Sequence, residues 1–118
     1  MLDLLFFLLL GHYMGDFAFQ TGRMAKFKPT STIILSQHVL VYTLTLTVFL
    51  YLGLYMNDRA GEFFSWTTLV VMLAVYVEHW FQDLIKGSRF NGVTQVFFLD
   101  QALHIIVLFL MRLFIYHG

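Results

Sequence analysis

The sequence contains no cysteine, a single proline and few charged residues. The absence of cysteine excludes disulfide bonds and thiolate metal sites. Charged residues make up only 12% of the chain, about half their usual share in soluble domains, and the formal net charge is zero. Because this balance provides no basic patch for a phosphate backbone, we expect no nucleic-acid partner.

Apolar residues dominate the chain. They make up 59% of the 118 residues, and the mean hydropathy is +0.76. A soluble domain of this length has too little interior to bury so much apolar surface. The first apolar run, which starts with MLDLLFF, lacks a preceding basic segment and a small-residue cleavage site, so we predict a permanent span rather than a signal peptide. The composition therefore indicates an integral membrane protein.

Four apolar runs divide the sequence, at about residues 2–20, 33–56, 64–85 and 97–116. Each has about the 20 residues that a helix needs to cross the hydrocarbon core. The predicted fold is all-α, a bundle of four transmembrane helices that forms one domain over residues 1–118.

Basic residues in the connections predict the orientation. The first and third connections carry most of them: Arg23, Lys26, Lys28, Lys86 and Arg89. The second connection has one cation, Arg59, together with Asp58 and Glu62. Since cytoplasmic loops collect Lys and Arg, the first and third connections should be cytoplasmic and both termini outside.

Seven ionisable residues interrupt the spans in a regular pattern. Three spans carry a histidine and an aspartate four residues apart, and the remaining span carries one histidine: His12–Asp16, His79–Asp83, Asp100–His104 and His38. Residues four apart lie on one face of a helix, so each pair can direct two groups at one point. All seven lie within about 12 Å of the cytoplasmic ends of their helices. The sequence therefore predicts one cluster in the cytoplasmic half of the bundle.

The chemistry of this cluster favours a metal site. Polar side chains in membrane helices also serve as hydrogen-bond contacts between helices. Three carboxylates are costly in a membrane, however, and they repel one another unless a cation or a proton lies among them. Imidazole and carboxylate groups bind Zn²⁺ or Mn²⁺ without sulfur, and seven candidates exceed the four that one zinc needs. We expect one or two divalent ions, with a proton or ion relay as the alternative.

We assign the roles as follows. Five residues are expected to be ligands: His12, Asp16, His79, Asp83 and His104. His38 and Asp100 can serve as ligands, as a general base or as partners that orient the ligating histidines. Glu78 is a weaker candidate for the general base, because it points about 100° away from His79. Gly11 and Gly15 favour close approach of another helix.

The same stretches resemble a known family. HYMGDFAFQT at 12–21, HVLVYTLTL at 38–46, EHWFQDLIK at 78–86 and FLDQALHIIVLFL at 98–110 are similar to domain of unknown function family 3307, small bacterial and phage inner-membrane proteins. The resemblance covers nearly the whole chain and implies location in the bacterial inner membrane. The chain is also distantly similar to membrane proteins predicted to be metal-dependent hydrolases, which implies hydrolysis as the activity.

Three functions remain compatible with these observations. The leading hypothesis is a membrane-embedded, metal-dependent hydrolase, with membrane lipid or a lipid-linked phosphoester as the partner at the cytoplasmic leaflet. The second is a transporter or channel for divalent cations or protons, although such a path needs polar groups at several depths. The third is a metal- or haem-binding sensor or assembly subunit. The small bundle is also compatible with a homo-oligomer.

Overall fold

The described residues form four α-helices and two short helical segments, and they contain no strand. A computed structural model describes the backbone of residues 3–18, 22, 31–89 and 94–117, and the side chains of residues 3–16, 22, 31–85 and 98–113. The helices are α1 (Leu4–Tyr13), α2 (Thr32–Met56), α3 (Trp66–Arg89) and α4 (Thr94–His117). This confirms the prediction of an all-α chain.

Local signals determine where the helices begin and end. Asp3 caps α1, since its side chain accepts a hydrogen bond of 2.9 Å from the backbone N–H of Leu5. Ser31 caps α2 by accepting a bond from the N–H of Ile34. After α2 the chain turns at Asp58, whose φ of 59° lies in the left-handed region that aspartate tolerates. A 3₁₀ helix, Ala60–Phe64, then leads into α3.

A π-helical segment, Met14–Ala18, continues α1. Its hydrogen bonds close five residues apart instead of four, so each turn is wider than in an α-helix. Such segments occur mostly as single turns and often at functional sites. Here the wide turn contains Gly15 and Asp16.

The helices run alternately up and down, and each packs against two neighbours. Glycines let α1 approach α2 closely: a Cβ added at Gly53 would lie 2.8 Å from Leu4 Cδ1, and one at Gly15 would lie 3.1 Å from Tyr42 Cα. An added Cβ at Gly11 would lie 2.9 Å from Phe49 Cβ. The close contact predicted for Gly11 and Gly15 is therefore present.

Leucine, valine and methionine fill the half of the bundle nearest the termini. This apolar core contains Leu4, Leu8, Leu46, Leu50, Leu54, Val71, Met72, Val75, Leu108 and Met111. At its far end an exposed ion pair joins α4 to the start of α1, with Arg112 Nε 2.9 Å from Asp3 Oδ1.

The outer surface of the helices is also apolar. Large side chains are exposed along α2, α3 and α4, among them Ile33, Leu44, Val48, Leu73, Phe81, Ile106 and Leu110. Two helical stretches, Thr32–Met56 and Trp66–Ile85, have the length and hydropathy to cross a membrane. The apolar stretch Leu4–Asp16 is shorter, and residues 2 and 19–20 of the predicted first span lie outside the described residues. Of the four predicted spans, these data support two.

Candidate metal centre

Four buried side chains from three helical segments meet at the end of the bundle opposite the termini. Asp16 comes from the π segment, His38 from α2, and His79 and Asp83 from α3. None of the four is more than 4% exposed. The i, i+4 spacing of His79 and Asp83 places both on the inner face of α3, as the sequence pattern predicts.

The donor atoms of these residues converge on a common centre. His38 Nε2 lies 3.1 Å from Asp16 Oδ1 and 3.2 Å from Asp83 Oδ2. His79 Nε2 lies 3.6 Å and 3.3 Å from the same two oxygens. The two Nε2 atoms are 3.4 Å apart. In a tetrahedral site with metal–ligand distances of about 2.0–2.1 Å, neighbouring ligand atoms lie roughly 3.3–3.4 Å apart. The five distances scatter around that value.

Pairwise hydrogen bonds do not account for this arrangement. A neutral imidazole carries one N–H, but each Nε2 faces three other donor or acceptor atoms at similar distances. Among the described residues, Nδ1 of His38 and of His79 has no hydrogen-bond partner. With the proton on Nδ1, the Nε2 lone pairs point at two carboxylates, an arrangement that a cation stabilises.

A second group of donors adjoins the first through Asp83. His104 Nε2 lies 3.5 Å from Asp100 Oδ1 and 3.8 Å from Asp83 Oδ1. Asp83 thus directs Oδ2 towards the first group and Oδ1 towards the second. The three residues are buried, and their donor atoms lie within 4.8 Å of one another. Both groups could hold a metal ion, with Asp83 shared between them, and a third set of donors, from Glu78, His79 and His104, overlaps them.

His12 lies beside these groups with its ring nitrogens engaged elsewhere. Its Nε2 is 2.8 Å from Gln101 Oε1, and its Nδ1 is 2.8 Å from the Tyr42 hydroxyl. Because the Gln101 oxygen can only accept, His12 donates from Nε2, and Nδ1 accepts from the Tyr42 hydroxyl. The structure therefore places His12 beside the two donor groups, bonded to Gln101 and Tyr42, and its expected role as a ligand stays a prediction.

Two glutamines hold the carboxylates in place. Gln101 Nε2 donates to Asp16 Oδ2 at 3.2 Å and to Asp100 Oδ2 at 3.3 Å. Gln82 Nε2 donates to Asp100 Oδ1 at 2.9 Å and to the Asp100 carbonyl at 2.8 Å. Partners of this kind orient metal ligands and raise their affinity.

Stacked rings form the boundary between the cluster and the apolar core. The Tyr42 ring stacks on His79 with centroids 3.9 Å apart and an interplanar angle of 19°. His79 in turn stacks on His104 at 4.3 Å and 25°. For Gln101 the sequence predicts a hydrogen bond between helices or to a ligand, whereas it predicts no role for Tyr42, whose signal is its one-turn spacing from His38.

Glu78 lies at the edge of the cluster. Its Oε2 is 3.9 Å from His104 Nδ1, and about a third of its side chain is exposed. His38 and Asp100, the two other candidates for a general base, are almost completely buried. Of these three carboxylate and imidazole groups, Glu78 is the one that opens to the surroundings of the bundle.

The basic residues of the first connection, Arg23, Lys26 and Lys28, lie outside the described residues. The same is true of the side chains of Lys86 and Arg89, although the backbone there is helical. No structural role is assigned to these five.

The comparison with protein families identifies the chain. A family model described as protein of unknown function (DUF3307) matches residues 4–117. The chain belongs to this family. The match covers all four helices, so the six grouped residues and His12 all lie within the family domain. No curated protein and no solved structure matches the chain.

Proposed function

We propose that this protein is a four-span membrane protein that binds divalent metal in its buried His/Asp cluster and hydrolyses a lipid or lipid-linked phosphoester at the cytoplasmic leaflet. The observation that carries the proposal is the convergence of Asp16, His38, His79 and Asp83. Five distances between their donor atoms, 3.1–3.6 Å, fit a tetrahedral ligand set.

The dimensions and the surface support four spans. The bundle is 41 Å long, close to the 40–45 Å thickness of a bilayer with its headgroups. Its α4 has 24 residues, and exposed apolar side chains such as Phe98, Ile106 and Phe109 follow its length. A water-soluble bundle would carry polar residues at such positions. The π segment extends α1 towards the depth that the other helices reach.

The basic residues of the sequence support the orientation. The cluster lies at the end of the bundle where the first and third connections begin. Arg23, Lys26 and Lys28 lie in the first connection, and Lys86 and Arg89 lie in the last turn of α3 before the third. With these connections inside, the cluster lies in the cytoplasmic half and both termini lie outside. The bacterial inner membrane is the membrane that we infer.

The donor set supports zinc or manganese, in one or two ions. Imidazole and carboxylate ligands suit both metals, and the tetrahedral spacing of the first group favours zinc there. The second group, of Asp83, Asp100 and His104, has longer separations. Because Asp83 presents one oxygen to each group, it would be a ligand common to both groups if each held an ion.

The hydrolytic step uses Glu78. A divalent cation bound in the cluster would supply Lewis-acid activation of a water and of the scissile ester. Glu78 would accept the proton of the attacking water, because it is the carboxylate beside His104 that remains accessible. Water splits the phosphodiester into two products, an alcohol and a phosphate monoester.

The opposite half of the bundle argues against transport, the competing function. The interior there is filled by buried leucines, including Leu4, Leu8, Leu50 and Leu108. Ions crossing the membrane need polar groups at several depths. Within the described residues, the buried polar side chains of that half are threonines.

The proposal is tested with protein purified into lipid nanodiscs, stripped with chelator and reloaded with Zn²⁺ or Mn²⁺. Elemental analysis should find at least one tightly bound ion per chain. A protein that holds no stoichiometric metal under any loading condition overturns the proposal.

Activity is then measured on a chromogenic phosphodiester and on phospholipid. We expect Glu78→Gln to retain its metal and to lose turnover by about 10²–10⁴-fold, the usual contribution of a general base. Glu62→Gln, which changes an exposed glutamate at the opposite end, is the matched control and should keep full activity. Metal uptake into liposomes without hydrolysis would show that the protein is a transporter and not a hydrolase.

A further inference from the structure

An apolar cleft lies between α3 and α4. Its volume is about 390 Å³, and it is open along one side. Four small side chains of α3, in the segment 70–75, form one wall. Val107, Leu110 and Met111 of α4 form the other. The cleft therefore opens sideways between two helices whose outer faces are also apolar.

One end of the cleft reaches the metal centre. Glu78 is the only polar residue in its lining among the described residues, and it lies at the end nearest the cluster. There Glu78 Oε2 is 3.9 Å from His104 Nδ1. From Glu78 the cleft extends along α3 to Val70, a rise of about 12 Å for eight residues. It thus leads from the cluster towards the end of the bundle that carries the termini.

The dimensions favour a thin occupant. A helix of about 10 Å diameter and 12 Å length fills roughly 900 Å³, more than twice the volume of the cleft. An alkyl chain is far thinner and makes the same apolar contacts. With the cluster in the cytoplasmic half, the cleft also follows the direction in which the tails of that leaflet point, from headgroup to midplane.

We infer that this cleft binds one acyl chain of a glycerophospholipid from the cytoplasmic leaflet, entering sideways between α3 and α4, and that Glu78 marks the position of the phosphoester. The inference rests on the proposed function and specifies its substrate. The acyl chain in the cleft holds the lipid in place, while the bound metal attracts the phosphate of its headgroup. The apolar cleft alone would exclude this charged group.

The test uses a phospholipid with a photoactivatable diazirine in its acyl chain, added at low mole fraction to metal-loaded protein in nanodiscs. Labelled peptides are mapped by mass spectrometry. We expect saturable labelling of the α3 and α4 residues that line the cleft. Ala74→Phe places a phenyl ring in the cleft from an exposed position. If this ring displaces two or more methylene groups of the acyl chain, labelling in the cleft should fall about tenfold. Ala102→Phe makes the same change on the lipid-facing side of α4 and should have no effect.

A diacylglycerol probe with the same diazirine chain connects the cleft with the metal. Metal loading should increase cleft labelling by the phospholipid and leave labelling by diacylglycerol unchanged. Equal labelling in Ala74→Phe and Ala102→Phe, or equal response of the two probes to metal, overturns the inference.

Metal content, measured on the same samples, separates the two failures. If metal is retained but the cleft shows no specific labelling, the acyl site is wrong and the proposed metal centre stands. If the protein binds no metal, the proposed function fails, and with it the assignment of the cleft to a phospholipid substrate.

Discussion

The two halves of the bundle consist of the same four helices but have opposite interiors, one polar and one apolar. In one half, buried polar side chains from every helix face one another across distances of 2.8–3.5 Å. In the other, leucines, valines and close glycine contacts fill the interior. Burying carboxylates and imidazoles together costs free energy unless a cation or a proton compensates. The apolar half must therefore supply the stability that lets the polar half keep a costly arrangement.

The largest effect is expected when a substitution removes the carboxylate that both donor groups share. Asp83→Asn should abolish stoichiometric metal binding, a loss beyond the 10–100-fold that removal of a supporting partner typically causes. Elemental analysis and metal titration measure the loss. Asp58→Asn is the matched control, because asparagine tolerates the left-handed backbone at this exposed turn.

The same variant distinguishes a ligand from a structural contact. If Asp83 serves only to bond its neighbours, Asp83→Asn should destabilise the metal-free protein. If it is a ligand, the metal-free variant should be at least as stable as the parent, since one of three mutually repelling carboxylates is gone. Only the stabilisation produced by added metal should disappear.

The second effect addresses the apolar half. Leu50→Ala removes a completely buried side chain and should lower the free energy of unfolding by about 2–5 kcal/mol. Leu44→Ala, on the exposed face of the same helix, should cost far less. Denaturation in mixed micelles measures both variants. The metal content of the folded Leu50→Ala protein should remain that of the parent, and a loss of metal there would contradict the separation of the halves.

Two glycine substitutions probe the same helix contact at its two ends. Gly15→Ala and Gly53→Ala each introduce a Cβ that meets α2 or α1 within 3.1 Å, and each should cost about 1–3 kcal/mol of stability. Gly15→Ala should also weaken metal binding, because it pushes Tyr42 and the adjacent Asp16 away from the cluster. Gly53→Ala should leave metal affinity unchanged.

Gly61→Ala serves as the control for both, since nothing lies within 4 Å of the added Cβ. Isothermal titration with metal and thermal unfolding together measure the effects. Equal metal affinity in the Gly15 and Gly53 variants would show that the two ends are not independent in the way that we propose.

The smallest effect concerns the exposed loop beyond the apolar half. The Arg59 side chain beside Glu62 holds the pKa of that carboxyl below its usual value. The ion pair therefore contributes above the pKa of the unfolded chain, and its contribution is lost as the pH falls through the lower folded value. Because the pair is solvent-exposed, Glu62→Gln should cost only about 0.2–1 kcal/mol at neutral pH. Unfolding measured at neutral and acidic pH should show this difference disappear in acid.

Much of the fold and of the site follows from simple properties of the sequence. The four helices match the four apolar runs, and six of the seven predicted residues lie in donor groups. These predictions depended on hydrophobicity, helical spacing and the depth of each polar residue, which are local properties. His12 lies beside these groups, bonded to Gln101 and Tyr42, so its part in metal binding stays a prediction. No residue pattern in Met14–Ala18 indicates the wider turn of the π segment.

By itself, then, the sequence determined that the chain forms apolar helices, that its buried ionisable residues gather at one end of them, and that these residues are imidazoles and carboxylates. The tertiary structure decided which nitrogens and oxygens converge, that Asp83 serves two groups, and that Glu78 opens onto a cleft. The physical reason is that composition and the spacing of residues along a helix are local properties of the sequence. The rotation of each helix about its axis and the closeness of its approach depend on the packing of all four.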